Sequence, residues 1–128
     1  MASMGELERT VMDWLWAAGG PVSAAQVRDG LNAVDGDRDL ALTTVHTVLG
    51  RLEQKGFLVH DDARPRRFAP RASREEHAAG LMREVLGQAA DRQAVLARFV
   101  GGVDAEEAEM LRALLAGADR PGQDAGGR

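Results

Sequence analysis

The stretch LALTTVHTVLGRLEQKGFLVHD, residues 40–61, combines an apolar helical repeat with a polar face of uncommon composition. Its apolar positions follow the i, i+3, i+4, i+7 spacing of an amphipathic helix, and they are Val45, Val48, Leu49 and Leu52. Gly56 is placed to end this helix, which we expect to begin near residues 41–43. The opposite face carries short hydroxyl groups, one imidazole and one guanidinium: Thr43, Thr44, His46, Thr47 and Arg51.

The sequence on either side predicts two more helices and a hairpin. The first helix has an apolar face of Leu7, Val11, Leu15 and Ala18 and ends at the Gly-Gly-Pro of residues 19–21. After a short extended piece, Ser23 and Gln26 form a capping box that begins the second helix. Residues 57–60 and 66–70 are strand-like runs joined by a turn at 61–65. The order helix, short strand, helix, helix, hairpin is that of a winged helix-turn-helix.

The basic residues are concentrated around this segment, although the chain as a whole has a net charge of -4. Residues 40–72 hold six basic side chains against three acidic ones, whereas residues 73–128 hold seven arginines against ten acidic residues. Lys55 is the one lysine among the sixteen cations. An excess of arginine close to a recognition-like helix favours a contact with DNA phosphates.

In a winged helix-turn-helix the third helix enters the DNA major groove and the hairpin wing lies along the backbone. The polar face of residues 43–51 is then suited to base edges, and the hairpin arginines Arg64, Arg66 and Arg67 to phosphates. Two simpler interpretations remain open. Thr43 and Thr44 can serve only as helix caps, and a charged hairpin loop can serve only to keep a sheet edge from aggregating.

The C-terminal third predicts three amphipathic helices, two of which begin with capping boxes at Ser73 to Glu76 and Asp104 to Glu107. Helices this short bury little apolar area alone, so we expect them to hold two subunits together as a homodimer. The candidate dimerisation residues are Leu81, Met82, Val85, Leu96, Phe99, Val100, Met110, Leu111, Leu114 and Leu115. The alternative is that these helices fold back on the winged helix within one monomer.

We therefore predict a mainly α chain in three parts. Residues 1–72 form a winged-helix DNA-binding domain with a small β-hairpin wing, and residues 73–117 form a helical dimerisation region. Residues 118–128, rich in glycine and polar side chains, form a flexible tail.

Several segments resemble the penicillinase repressor (BlaI/MecI) family of bacterial transcription regulators. They are GELERTVMDWLW at 5–16, LGRLEQKGFLVHD at 49–61, SREEHAAGLMREVL at 73–86 and ARFVGGVDAEEAEMLRALL at 97–115. The resemblance implies a homodimer whose winged helices bind the two halves of an inverted-repeat operator in double-stranded DNA. It further implies repression of antibiotic-resistance or related stress genes.

In resistance-type members of that family, a proteolytic step cuts an Asn–Phe bond in the segment that corresponds to LARFVGG, residues 96–102. The matching bond here is Arg98–Phe99, in which the phenylalanine agrees with the motif and the arginine does not. The resemblance thus implies a membrane-bound sensor protease as a partner, with a departure at the cleavage site. A copper-responsive branch senses metal through C-terminal cysteines, which this chain lacks.

No enzymatic pattern emerges from the sequence. Without cysteine there is no disulfide, thiolate metal site or thiol nucleophile, and there is no HExxH motif or phosphate-binding glycine loop. A metal site at His60, Asp61 and Asp62 is an alternative to an ordinary solvated turn, and we favour the turn. We expect no catalytic residue, no metal and no cofactor.

The longest apolar run, residues 14–18, is too short to cross a bilayer, so we expect no membrane insertion. The first ten residues lack the basic and apolar regions of an export signal, and the absence of cysteine suits a reducing compartment, so we expect a cytoplasmic protein. The competing function is a winged helix that binds another protein through its polar face. An exposed Trp16 would support that competing function, because aromatic side chains are common at the centre of protein interfaces.

Overall fold

A computed structural model describes residues 4–118, in which the chain forms six helices and three short strands. The first part contains α1 (Glu6–Ala18), β1 (Val22–Ser23), α2 (Ala24–Val34), α3 (Leu42–Gln54), β2 (Leu58–His60) and β3 (Arg67–Pro70). The second contains α4 (Arg74–Gly87), α5 (Arg92–Gly101) and α6 (Ala105–Ala118). The predicted fold class, a mainly α chain with a winged helix-turn-helix, is confirmed. The predicted tail begins at the last residue of α6, and its residues 119–128 lie outside the described residues.

Local signals begin and end these helices as the sequence predicts. The Ser23 hydroxyl accepts a hydrogen bond from the Gln26 backbone N–H at 3.2 Å, and the Gln26 side chain accepts one from the Ser23 N–H at 2.8 Å. Gly19 (φ 78°) and Gly56 (φ 89°) follow α1 and α3 in the left-handed region, where a side chain would be strained. The same reciprocal capping occurs between Ser73 and Glu76 before α4.

The strands form one antiparallel sheet in the order β1-β3-β2. Phe68 of β3 pairs with Val22 on one side and with His60 on the other. The wing is therefore a continuation of the sheet that packs on the helices, and its buried Phe68 fixes which face of β3 points inward.

The core lies between α1, α2, α3 and the sheet. Its buried residues are Val11, Met12, Leu15, Ala24, Val27, Leu31, Val45, Val48, Leu49, Leu52, Leu58 and Phe68. The predicted apolar positions of α3 are all buried. On α1 the predicted Ala18 is exposed because the helix ends there, while Met12, beside Val11, is buried.

An ion pair between the ends of two helices closes this core. Glu8, only 7% exposed, accepts hydrogen bonds from the Lys55 ammonium at 2.8 and 3.0 Å and from the Gly5 backbone N–H at 2.7 Å. The Lys55 hydrogen bond, followed by that of Gly5, lowers the pKa of the Glu8 carboxyl. The pair thus joins the beginning of α1 to the end of α3.

The chain divides into two compact units, one up to Met82 and one from Arg83 onward. The first contains the sheet, α1 to α3 and the beginning of α4. In the second, α5 and α6 contain no buried residue. No helix among residues 4–118 has the length and apolar character needed to cross a membrane.

Candidate nucleic-acid interface

The polar face of α3 lies on the outside of the first unit. With the apolar stripe turned into the core, the five predicted polar residues are all exposed: Thr43, Thr44, His46, Thr47 and Arg51. Ala41 is the N-cap residue of α3, and no side chain caps this end of the helix. The interpretation of Thr43 and Thr44 as helix caps is therefore wrong. Both residues lie within α3, on its exposed face.

The hydroxyl group of Thr47 forms a hydrogen bond within α3 itself. Thr47 donates a hydrogen bond of 3.0 Å to the backbone carbonyl of Thr43, one turn earlier. This bond uses the hydroxyl hydrogen of Thr47, so the hydroxyl oxygen of this exposed side chain can still accept a hydrogen bond. Thr47 is consequently suited to accept a hydrogen bond or to contact a thymine methyl group.

The beginning of α3 is held by a side chain that sequence reasoning missed. Asn32, near the end of α2, accepts a hydrogen bond of 2.9 Å from the Leu40 backbone N–H. Its amide nitrogen donates to the Leu40 carbonyl at 3.3 Å. The side chain pairs with the backbone as a neighbouring strand would, which fixes where α3 begins relative to α2. A lone asparagine eight residues away gives no sequence signal for such a contact.

The wing presents two arginines in its turn and one at the start of β3. Arg64, Arg66 and Arg67 are all exposed. Arg67 forms an ion pair with Asp61, in which both Nε and Nη2 lie 2.7 Å from Oδ2. The backbone N–H of Arg67 is the largest cause that lowers the pKa of the Asp61 carboxyl, to which the N–H of Ala63 and the Arg67 side chain also contribute.

Helix α3 and the wing line one groove. This groove has a volume of about 670 Å³, and its walls come from the beginnings of α2 and α3, from the wing turn and from Phe68. His46, Arg64 and Arg66 line it together. The three threonines, Arg51 and Arg67 do not line it, so the groove brings together three of the eight predicted DNA-binding residues.

The end of α3 is tied to the wing by a second contact that was not predicted. The Nδ1 atom of His60 on β2 contacts the Glu53 carboxylate on α3, and the ring of His60 packs edge-on against Phe68. His60 contacts Glu53 and Asp61 binds Arg67, so two of the three candidate metal ligands, His60 and Asp61, have other partners. No group of three or more possible metal ligands occurs in the described part of the chain.

Trp16 has partners within the first unit. Its indole N–H donates to the Ala72 carbonyl at 3.0 Å, its ring packs against His77, and the Arg74 guanidinium lies 5.4 Å from the ring centre. The side chain is only partly exposed. The feature that would have favoured a protein-binding function, an exposed Trp16, is therefore missing.

Many apolar side chains on α4, α5 and α6 are exposed. Of the candidate dimerisation residues, Leu81 and Leu111 are half-buried, and the others are exposed: Met82, Val85, Leu96, Phe99, Val100, Met110, Leu114 and Leu115. Leu114 and Leu115 are each 65% exposed. Contiguous patches of exposed apolar side chains commonly mark sites of protein association.

The Arg98–Phe99 bond lies in the last turns of α5, and both of its side chains are exposed. A protease binds its substrate in an extended form, so cleavage here requires α5 to open locally.

Comparisons with known proteins agree with the sequence pattern. The family model described as Penicillinase repressor matches residues 4–117. Two curated proteins described as Transcriptional regulator BlaI, from the CDC 1551 (Oshkosh) and ATCC 25618 (H37Rv) strains of Mycobacterium tuberculosis, are 47% identical to this chain over 120 residues. The matched region covers 91% of this chain and 85% of each relative. Among solved structures, a MarR family protein from Bacillus stearothermophilus matches with 17% identity and a TM-score of 0.46, covering 90% of this chain and 72% of that one.

Proposed function

The chain belongs to the penicillinase repressor family, and on this premise we propose that it is a cytoplasmic transcriptional repressor that binds an inverted-repeat operator as a homodimer. The observation that carries the proposal is the exposed hydroxyl-rich face of α3 beside a basic wing. The family match over residues 4–117 supports DNA as the partner of that face. The proposed targets are antibiotic-resistance or related stress genes.

We assign base contacts to the outer face of α3. Thr44, Thr47 and Arg51 are spaced three and four residues apart, which places them on one side of the helix. Threonine offers a hydroxyl and a methyl group to base edges, and arginine offers a bidentate contact to guanine. His46 lies closer to the wing, on the groove that it shares with Arg64 and Arg66.

We assign phosphate contacts to the basic wing, which lies along the DNA backbone when α3 occupies the major groove. These contacts position the protein on the duplex and carry no sequence information. Thr44→Ala and Thr47→Ala should therefore reduce the preference for the operator over random DNA. Arg66→Ala should weaken both by the same factor, and it should flatten the dependence of log K on log salt by about 0.9 per lost contact.

The experiment that tests this function is a footprint on the DNA upstream of the chain's own gene, with excess random competitor at physiological salt. We expect protection of a two-fold symmetric site. Thr44→Ala should lose that protection at protein concentrations at which it still shifts random duplex. Equal losses of operator and random binding in the threonine and arginine variants would contradict the assigned roles.

Dimerisation is proposed through the exposed apolar residues of α4, α5 and α6. Leu114→Glu places a charge in that surface, and burial of leucine is worth about 1.5–3 kcal/mol in each protomer. We expect the dissociation constant to rise at least about 100-fold. Val34→Glu is the matched control, because Val34 is 78% exposed but lies on α2 in the first unit. Sedimentation that shows Leu114→Glu to be as dimeric as the control would contradict the proposed surface.

Relief of repression is proposed to follow cleavage at Arg98–Phe99 by a membrane-bound sensor protease. Phe99 is also among the proposed dimerisation residues, so a cut there would separate α6 from the rest of the chain and weaken the dimer. Mass spectrometry of the chain from cells exposed to a penicillin should reveal a fragment that ends at Arg98. An intact chain in cells whose target genes are expressed would show that another signal operates.

A further inference from the structure

The wing turn is organised around one carboxylate, that of Asp61. Its Oδ1 atom accepts hydrogen bonds from the backbone N–H groups of Ala63 at 3.1 Å and Arg67 at 3.0 Å. Its Oδ2 atom accepts the Nε–H of Arg67 at 2.7 Å and lies at the same distance from Nη2. Both oxygens are thus engaged, one by the backbone of the turn and one by the guanidinium across it.

Arg64 and Arg66 lie in the same turn but have a different environment. Both are exposed on the groove between the wing and α3, and neither forms an ion pair within residues 4–118. The three wing arginines, which the sequence presents as equivalent, are therefore divided into two available cations and one that is already paired.

The pairing of Arg67 has an electrostatic consequence. A cation contributes to the salt dependence of DNA binding when it neutralises a phosphate and releases the counterions condensed there. The charge of Arg67 is already balanced by Asp61. If Arg67 turned to a phosphate, it would leave the Asp61 carboxylate unpaired beside the negatively charged DNA backbone. An exposed ion pair alone is weak, but the two backbone hydrogen bonds to the same carboxylate hold Asp61 in place.

We infer that Asp61 is a positioning residue that holds the Arg67 side chain within the wing by an ion pair. Each wing therefore neutralises DNA phosphates through Arg64 and Arg66 and not through Arg67. The inference rests on the proposed DNA-binding function, but its test does not require an operator. The salt dependence of binding to any duplex gives the number of phosphate contacts. Asp61 thereby sets how many cations each wing offers to DNA.

The test compares Asp61→Asn with the arginine variants on one random-sequence duplex over a series of salt concentrations. Asparagine can keep the Oδ1 acceptor for the two backbone N–H groups, but its amide donors face the donors of Arg67 and release that side chain. We expect the slope of log K against log salt to become steeper by up to about 0.9 per wing in Asp61→Asn. A general loss of wing structure would flatten the slope, so it cannot imitate this result.

Three further variants complete the comparison. Arg66→Ala should flatten the slope by about 0.9 per wing. Arg67→Ala should keep the wild-type slope because it removes no phosphate contact, although the unpaired Asp61 carboxylate should weaken binding at every salt concentration. The double variant Asp61→Asn, Arg67→Ala should return from the steeper slope to that of the wild type. Flattening by Arg67→Ala equal to that by Arg66→Ala, together with no steepening in Asp61→Asn, would overturn the inference.

A measurement on the wild-type protein removes the dependence on mutant folding. In a nitrogen-15 spectrum of the arginine side chains, the Nε–H signal of Arg67 should be protected from solvent exchange in the free protein and should keep its position when duplex is added. Movement of the Arg67 signal together with that of Arg66 would refute the inference.

If the wild type binds random duplex but protects no operator in the footprint, the proposed sequence-specific function fails, while the salt slopes still decide the role of Asp61. Absence of any duplex binding at low salt would refute both.

Discussion

Gly30 of α2 lies against the Trp14 side chain of α1, and substituting Gly30 with alanine tests the packing of the two helices. A Cβ atom built on Gly30 would lie 2.2 Å from Cζ2, 2.4 Å from Cε2 and 2.7 Å from Nε1 of Trp14. Carbon atoms in favourable contact are about 3.5–4.0 Å apart, so the indole ring must retreat by more than about 1 Å. Trp14 is only partly exposed and packs against the core, which limits where the ring can go.

The expected magnitude follows from two opposing terms. Alanine is favoured over glycine within a helix by about 1 kcal/mol, and overpacking costs about 1–3 kcal/mol. Gly30→Ala should therefore lower the free energy of unfolding by about 1 kcal/mol. Gly50→Ala is the matched control, because Gly50 is also inside a helix and a Cβ atom there meets nothing within 4 Å. It should raise the free energy of unfolding by about 1 kcal/mol.

The assay is urea unfolding of the full chain followed by far-UV circular dichroism, at one protomer concentration because association contributes to stability. We expect the two variants to differ by about 1–3 kcal/mol, with a shifted tryptophan emission in Gly30→Ala alone. A Gly30→Ala variant that is as stabilised as Gly50→Ala would refute the argument, since it would mean that the indole ring moves away without loss of packing.

Three smaller predictions follow from single contacts. Glu8→Gln removes the charge of the buried Glu8 carboxylate from its part-buried ion pair with Lys55 and should cost about 2 kcal/mol at pH 7. The folded-state pKa of Glu8 is lowered, so this stabilisation is present above the ordinary carboxyl pKa near 4 and is lost as the pH falls through the folded-state pKa. The urea midpoints of wild type and variant should therefore converge in acid. Trp16→Phe keeps the aromatic packing but leaves the Ala72 carbonyl without its indole donor, which should cost about 1 kcal/mol in the same assay; an unchanged midpoint would show that water replaces the donor without loss. Asn32→Ala leaves the backbone N–H and C=O of Leu40 without their partner and should lower the free energy of unfolding by about 1–3 kcal/mol. In gel shifts, binding to the operator should fall more than binding to random DNA. Equal losses would show that the contact does not orient α3.

Much of the fold was predictable from the sequence because its signals are local. The capping box of Ser23 and Gln26 acts over three residues, the stop at Gly56 depends on one residue's backbone freedom, and the apolar stripe of α3 depends on helical periodicity alone. The exposure of the polar face follows from that stripe. Its assignment to DNA contact is still a prediction, as is the assignment of the C-terminal apolar residues to a dimer.

The sequence by itself determined which helices form, which face of α3 is apolar, and where the helices with capping boxes, α2, α4 and α6, begin, since these depend on interactions within one or two turns. Only the tertiary structure decided how the polar groups are paired. Glu8 pairs with Lys55, which is 47 residues away in the sequence, and Trp16 binds the carbonyl of Ala72, which is 56 residues away. In the wing turn the partner of Asp61 is Arg67, not Arg64 or Arg66. Composition and periodicity describe one segment at a time, whereas hydrogen bonds and ion pairs depend on distances of about 3 Å that exist only once the segments have packed together.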